Sequence, residues 1–248
     1  MKKLKHQETK RTVDGAKKAV LMIHGIIGTP DHFAPLLPAI PESVSLYNLL
    51  LDGHGKGVRE FSHTSMKKWE QQVEAAVKEL AASHEEIYVV AHSMGTLLAL
   101  EQAIQCPKIT KLFLLAVPLR LFLTPRLFST LFRVYFDKIP PDDLACLAAR
   151  DCCGVTHSKN PFLYFGWVPR YLELFAKICA TRRLIDRVNI PCTVYQSKYD
   201  EMVSKKALRY LQALPDAEIS ILEDSRHFYY GEQDVPRLLR ALKDFIGE

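Results

Sequence analysis

Three residues far apart in the chain have the types that serine chemistry needs: Ser93, Asp200 and His227. A serine hydroxyl is a poor nucleophile at neutral pH, so it requires a base within hydrogen-bond reach and a third group that holds the base in the right tautomer. Ser93 lies in Ala91-His92-Ser93-Met94-Gly95, just after the β-branched and aromatic run Ile87-Tyr88-Val89-Val90. This pattern is the signature of a nucleophile elbow, a sharp strand-to-helix turn in which the serine backbone is strained. Side chains two before and two after the serine would strike the neighbouring strand and helix, and those positions carry Ala91 and Gly95. Alanine at the first of them is one methyl larger than the usual glycine.

Nine histidines compete for the base. His6 falls in the polar start, His24, His32, His54, His63 and His84 precede the serine, His92 adjoins it, and His157 lies in a separate proline-rich segment. His227 alone follows the last expected strand, and Asp200 follows the strand before it. That gives the order Ser, Asp, His, which is one of the orders in which such triads occur. Glu201 is the neighbouring candidate for the acid, whereas residues 112–119 offer no carboxylate.

The elements that must position these residues alternate between strand and helix. Ala19-Val20-Leu21-Met22-Ile23 reads as a buried parallel strand and runs into His24-Gly25-Ile26-Ile27-Gly28, where glycines let main-chain N–H groups face a ligand. The N–H groups of Ile26 and Met94 are the expected oxyanion donors. A helix is expected near 32–39, a strand at 45–51 ending in Asp52-Gly53-His54-Gly55, and an amphipathic helix at 66–82. The glycine-rich turn at His54 is read as shaping the rim of the site. After the elbow come a helix at 96–105 and a strand at 111–117. Strands at 192–198 and 218–222, a helix at 205–213 and a closing helix at 235–246 complete the alternation. The pattern is that of a mostly parallel, doubly wound α/β sheet, whose ligand sites lie at the carboxyl ends of the strands.

Between them the pattern breaks. Residues 119–168 are punctuated by prolines and rich in aromatics, with no clear strand, and are read as an inserted helical cap over the core formed by 1–118 and 169–248. Ile27, Phe122, Phe128 and Trp167 are the candidates to line the substrate pocket. Residues 169–188 form a helix that returns the chain to the core.

Composition narrows the function class. At 248 residues and 48% hydrophobic content, one domain with an insertion can bury a sizeable core. The net charge of +5 is modest, and the lysines and arginines of residues 2–18 lack interleaved aromatics, so a solvated segment is expected and nucleic acid is not. No run approaches the length of a membrane helix and the start lacks the apolar core of a secretory signal, which predicts a cytoplasmic protein without stable membrane insertion. The six cysteines show no paired metal or redox spacing, and reduced, mostly buried thiols are expected. Cys152, Cys153 and His157 form the one cluster worth weighing, and adjacent cysteines rarely serve one ion. No metal and no cofactor are implied.

The set His24-Gly25-Ile26-Ile27-Gly28, Asp52-Gly53-His54-Gly55, Ala91-His92-Ser93-Met94-Gly95, Asp200-Glu201-Met202-Val203 and Ser225-Arg226-His227 resembles the α/β-hydrolase superfamily. Within it the chain is similar to small bacterial carboxylesterases and monoacylglycerol lipases. The resemblance implies Ser93 as nucleophile, His227 as base, Asp200 as its orienting acid, and Ile26 and Met94 as oxyanion donors. It also implies a small-molecule ester as substrate, of short or medium acyl length or a monoacylglycerol. Bulky Ile26 and Ile27 stand where some esterases have a glycine run, which disfavours crowded alcohols. A thioesterase, a carbon–carbon bond hydrolase and a non-catalytic ligand binder remain on the same frame. Dehalogenase chemistry would need an aspartate at position 93. Oligomeric state stays open.

Overall fold

In the computed structural model, which describes residues 6–247, the apolar runs become strands of one seven-stranded sheet. The first elements are β1 (Thr9–Arg11), β2 (Lys18–Ile23), β3 (Ser45–Leu49), β4 (Lys56–Gly57), α1 (Val58–Ser62) and α2 (Met66–Ser83). Next come β5 (Glu86–His92), α3 (Met94–Gln105), β6 (Ile109–Leu115), α4 (Pro125–Tyr135), α5 (Leu144–Cys152), β7 (Val155–Thr156) and α6 (Val168–Leu184). The chain ends with β8 (Cys192–Ser197), α7 (Leu208–Leu211), β9 (Ala217–Leu222) and α8 (Asp234–Ile246). The order across the sheet is β1-β3-β2-β5-β6-β8-β9, and only the β1–β3 pair is antiparallel.

Side chains alternate across this sheet and build two cores. Ala19, Leu21, Ile23, Ile87, Val89 and Ala91 face α2, α3 and α6, while Val20, Met22, Tyr88, Val90 and Phe113 face α8 and the chain before β3. Helix α8 lays Leu238, Leu242, Phe245 and Ile246 on the second face, and each such buried side chain contributes about 1.5–3 kcal/mol. After the edge strand β1 the chain runs through β2, moves outward to β3, then crosses to β5 on the other side of β2. The strand order therefore reverses between β2 and β5, and an open α/β sheet leaves a crevice at the carboxyl ends of two such strands.

Three local expectations change. Residues 30–39 form two 3₁₀ turns, Pro30–Phe33 and Leu37–Ala39, because Pro38 withholds an N–H group that a continuous α-helix would use. Part of the polar start is an edge strand: Lys10 and Arg11 sit in β1, and Arg11 pairs with Glu42 at 2.9 Å. Lys2, Lys3 and Lys5 lie outside the described residues. The segment 119–168 does contain a strand, since Val155 and Thr156 of β7 pair in parallel with Lys56 and Gly57 of β4. Two residues carry too little alternation to be read from sequence.

That small sheet seats residues 154–156 on the glycine turns that follow β2 and β3. Gly154 N–H donates to the Ile27 carbonyl at 2.7 Å, and Gly55 N–H donates to the Gly154 carbonyl at 2.6 Å. A Cβ at position 154 would stand 2.4 Å from both the Gly28 carbonyl oxygen and Thr29 Cγ2. Gly154→Ala is therefore expected to overpack this junction by about 1–3 kcal/mol. The melting temperature should fall by several degrees in a calorimetric scan; a change under about 1 °C would show that the junction yields freely.

Candidate active site

Ser93 links β5 to α3 with φ 51° and ψ −124°, the left-handed strain expected of an elbow, at a cost of about 1–3 kcal/mol. The turn is held from both sides. Ser93 N–H donates to the Leu115 carbonyl of β6 at 2.9 Å, and Thr96 donates to the Ser93 carbonyl through its N–H at 2.9 Å and its hydroxyl at 2.6 Å. Gly95 is required by space, since a Cβ there would lie 2.2 Å from the Ile23 carbonyl oxygen. Gly25 is equally constrained: its Cβ would meet Ser93 Cβ at 2.8 Å. Ala91, fully buried on β5, is accommodated.

The two expected oxyanion donors flank this contact. Met94 is the first residue of α3, so its N–H has no partner four residues back within the helix. Ile26 sits in the tight turn closed by Gly28 N–H donating to the Gly25 carbonyl at 3.0 Å, and Ile27 takes the left-handed φ of 53°. The Ile26 side chain is buried in the core, whereas Ile27 faces the cavity described below.

Asp200 and His227 come together as the sequence predicts. Their side chains are each 2% exposed, with Asp200 Oδ2 and His227 Nδ1 2.9 Å apart. The other carboxylate oxygen, Oδ1, accepts from Met202 N–H at 2.8 Å and Val203 N–H at 2.7 Å, which fixes the acid in its loop. A carboxylate only accepts, so Nδ1 of His227 carries the proton and Nε2 keeps its lone pair.

Sequence reasoning missed three supports of this pair. Glu201 braces the histidine through Oε2, which accepts from His227 N–H at 3.3 Å, while Oε1 meets Arg226 at 3.2 Å and Arg126 of α4 at 3.5 Å. Buried Asp234 accepts from Glu223 N–H, Asp224 N–H and the Ser225 hydroxyl at 2.8–3.2 Å, and so anchors the loop leading to His227. Its signal was an acid at the start of the last helix. His92 Nε2 stands 2.9 Å from the His227 carbonyl oxygen. It was set aside as a neighbour of Ser93.

A cavity of about 520 Å³ opens beside His227. Ile27 and Trp167 line it, as expected, together with Leu127, Leu131, Val134 and Phe136. Phe122 and Phe128 do not, being 60% and 58% exposed. The helical period explains Phe128: Leu127, Leu131 and Val134 share the inward stripe of α4, and the next residue is turned about 100° away from it. Phe122 lies ahead of α4, tied by its N–H to the Met202 carbonyl at 2.7 Å. Of the cysteines only Cys146 and Cys192 are buried, fewer than expected, and Cys153 lines the cavity. Among the described residues no three His, Cys, Asp or Glu side chains converge as a metal site requires. Nor is any helix among them long and apolar enough to cross a membrane.

Comparison with known proteins agrees with this geometry. Residues 20–241 match the model of the alpha/beta hydrolase family. The chain belongs to that family. A thermostable monoacylglycerol lipase of Bacillus sp. (strain H-257) is 25% identical over 235 residues, covering 92% of this chain and 90% of that protein. The fold is shared with a structure from work on LipS and LipT, two metagenome-derived lipolytic enzymes, at TM-score 0.74 and 19% identity over 98% of both chains. It is also shared with the monoacylglycerol lipase of Paleococcus ferrophilus, at TM-score 0.65 and 17% identity, covering 96% of this chain and 98% of that one.

Around the site this α/β hydrolase buries four further histidines, His24, His32, His54 and His92. His54 lies inside the core and not on the rim, its ring 4.7 Å from that of His24 and 5.2 Å from that of Phe61. Burial lowers His32 to about 3 and His54 to about 4, and holds His24 and His92 well below the usual histidine range. In the unfolded chain all four take a proton near pH 6.5, so below that pH the unfolded state binds more protons and stability falls. Each histidine contributes a loss of about 1.4 kcal/mol per pH unit while only the unfolded state titrates. Urea unfolding should show stability dropping steeply from pH 7 to pH 5, and His54→Phe should make that slope shallower. An unchanged slope in the variant would mean that His54 is protonated in the fold.

Proposed function

We propose that this chain is a serine hydrolase that cleaves carboxylic esters of short to medium acyl chains, or monoacylglycerols, through an acyl-enzyme intermediate. The observation that carries the reading is the buried Asp200–His227 pair at 2.9 Å, in a chain whose strained Ser93 directly follows a residue bonded to that histidine. The mostly apolar cavity beside His227 supports an acyl substrate, and the lipolytic relative supports an ester.

Ser93 Oγ attacks the ester carbonyl carbon while His227 Nε2 takes its proton. Asp200 stabilises the imidazolium that forms and keeps Nδ1 as the donor. The carbonyl oxygen, now an alkoxide, rests on the N–H groups of Ile26 and Met94, a pair of donors of the kind worth several kcal/mol of barrier. When the tetrahedral intermediate collapses, the carbon–oxygen bond to the alcohol breaks and His227 returns its proton to the leaving oxygen. Water then attacks the Ser93 acyl ester with His227 again as base, releasing the carboxylic acid and restoring the serine. Ile27, at the cavity wall beside the oxyanion turn, limits the bulk of the alcohol that fits.

Chromogenic acyl esters should be hydrolysed, and Ser93→Ala should cut kcat by about four orders of magnitude or more. Turnover unchanged in that variant would sink the assignment. A series of straight acyl chains should give its best kcat/KM at medium length, in keeping with a mostly apolar cavity of about 520 Å³. The same series on thioesters separates esterase from thioesterase chemistry, and a higher rate on the thioesters would reverse the choice of substrate class.

A further inference from the structure

We propose that His92 is a positioning residue for His227, acting through a hydrogen bond to the histidine's own backbone; this rests on His227 being the base of the reaction proposed above. A carbonyl oxygen can only accept, so the 2.9 Å contact between His92 Nε2 and the His227 carbonyl requires a proton on Nε2. The bond joins residues 135 apart in sequence. It runs from the last residue of β5, the one bonded covalently to Ser93, to the loop after β9.

The three anchors of His227 do different work, and Glu201 accepts its main-chain N–H at 3.3 Å from a loop. Asp200 holds the imidazole at Nδ1 and so sets the ring's rotation. It does not fix where the residue's main chain stands. His92 does, and it measures that place from the strand that carries Ser93, so nucleophile and base are referenced to one rigid element. Because a displacement of about 1 Å in a reacting group costs on the order of 100-fold in rate, this reference has catalytic consequence.

The surroundings of His92 hold its ring in place. The His32 ring lies against it with centroids 3.8 Å apart, and His32 Nε2 is in turn bonded to the Tyr230 hydroxyl at 2.6 Å. On the other side, a Cβ at position 25 would come within 3.3 Å of His92 Nδ1, so glycine there leaves the ring its room. Burial keeps His92 neutral, as a fixed Nε2–H donor with an accepting Nδ1 needs. A phenylalanine would fill the same space without the donor. A glutamine would bring an amide N–H to about the reach of Nε2.

The test compares the full-length wild-type protein, Ser93→Ala, His92→Phe and His92→Gln on one chromogenic acyl ester. His92→Phe should lower kcat by about tenfold or more with KM within about twofold, and His92→Gln should recover kcat to within about threefold of wild type. The proposal is overturned if His92→Phe keeps its kcat, if both variants lose equally, or if the loss falls in KM. Should His92→Phe not fold, imidazole ¹⁵N spectra of the wild-type protein decide, with the His92 resonances identified by their loss in His92→Gln. A proton on Nε2 supports the bond, and a proton on Nδ1 excludes it. Absence of hydrolysis by the wild type, or full activity in Ser93→Ala, would refute the proposed reaction instead, and the spectra would still test the bond.

Discussion

The structure depends on how closely β2 and β5 approach at their carboxyl ends. Gly95 lies against the carbonyls of Ile23 and His24, and Gly25 lies against the Cβ of Ser93, so the turns leaving the two strands interlock with no spare volume. Interiors at native density do not yield to an added methyl without displacing something. The left-handed backbones of Ser93 and Ile27 are maintained against their own strain because this contact and the bonds to Leu115 and Gly154 over-determine them. The two turns therefore stand side by side at the carboxyl end of the sheet.

The rest of the sheet serves that place by topology. Strand order reverses between β2 and β5, so the crevice opens there, and β8 and β9 deliver their loops to the same edge. Loops alone would be too mobile to hold a proton-transfer geometry. Here each is nailed down: Asp200 by two main-chain amides, the chain before His227 by Asp234, and His227 itself by Asp200, Glu201 and His92. Buried charged acceptors of this sort are costly unless satisfied, and hydrogen bonds to charged groups are worth about 1.5–3 kcal/mol each, so the acids stabilise the loops only as complete sets.

The parts of this arrangement legible in sequence are those with a local signature. Ser93, the glycine turn at residues 25–28 and the strand runs announce themselves through spacing and composition, and Asp200 and His227 through order along the chain. What escaped has no local signature. The bond from His92 spans 135 residues, and the Asp234 and Glu201 contacts depend on loops whose shape no periodicity encodes. The pocket was half legible for the same reason: aromatic content marked residues 119–168, but only the helical phase of α4 separates inward Leu127 from outward Phe128. The two-residue strand β7 is too short to alternate, and the proline at 38 turned an expected helix into 3₁₀ turns.

Residues 119–168 meet the loops at the carboxyl end of the sheet both at 154–156 and ahead of α4. At residues 154–156 the contact is main chain on main chain, with no room for a side chain at Gly154, and it shares the Ile27 carbonyl with the oxyanion turn. Ahead of α4 it is again main chain, with Phe122 N–H donating to the Met202 carbonyl at 2.7 Å and Thr124 N–H to the Glu201 carbonyl at 3.2 Å, joined by an ion pair from Arg126, itself 48% exposed, to Glu201 at 3.5 Å. Exposed pairs of that kind contribute about 0–1 kcal/mol and weaken with salt. The fastening at both places is therefore main chain on main chain, and the Arg126 ion pair adds little to it.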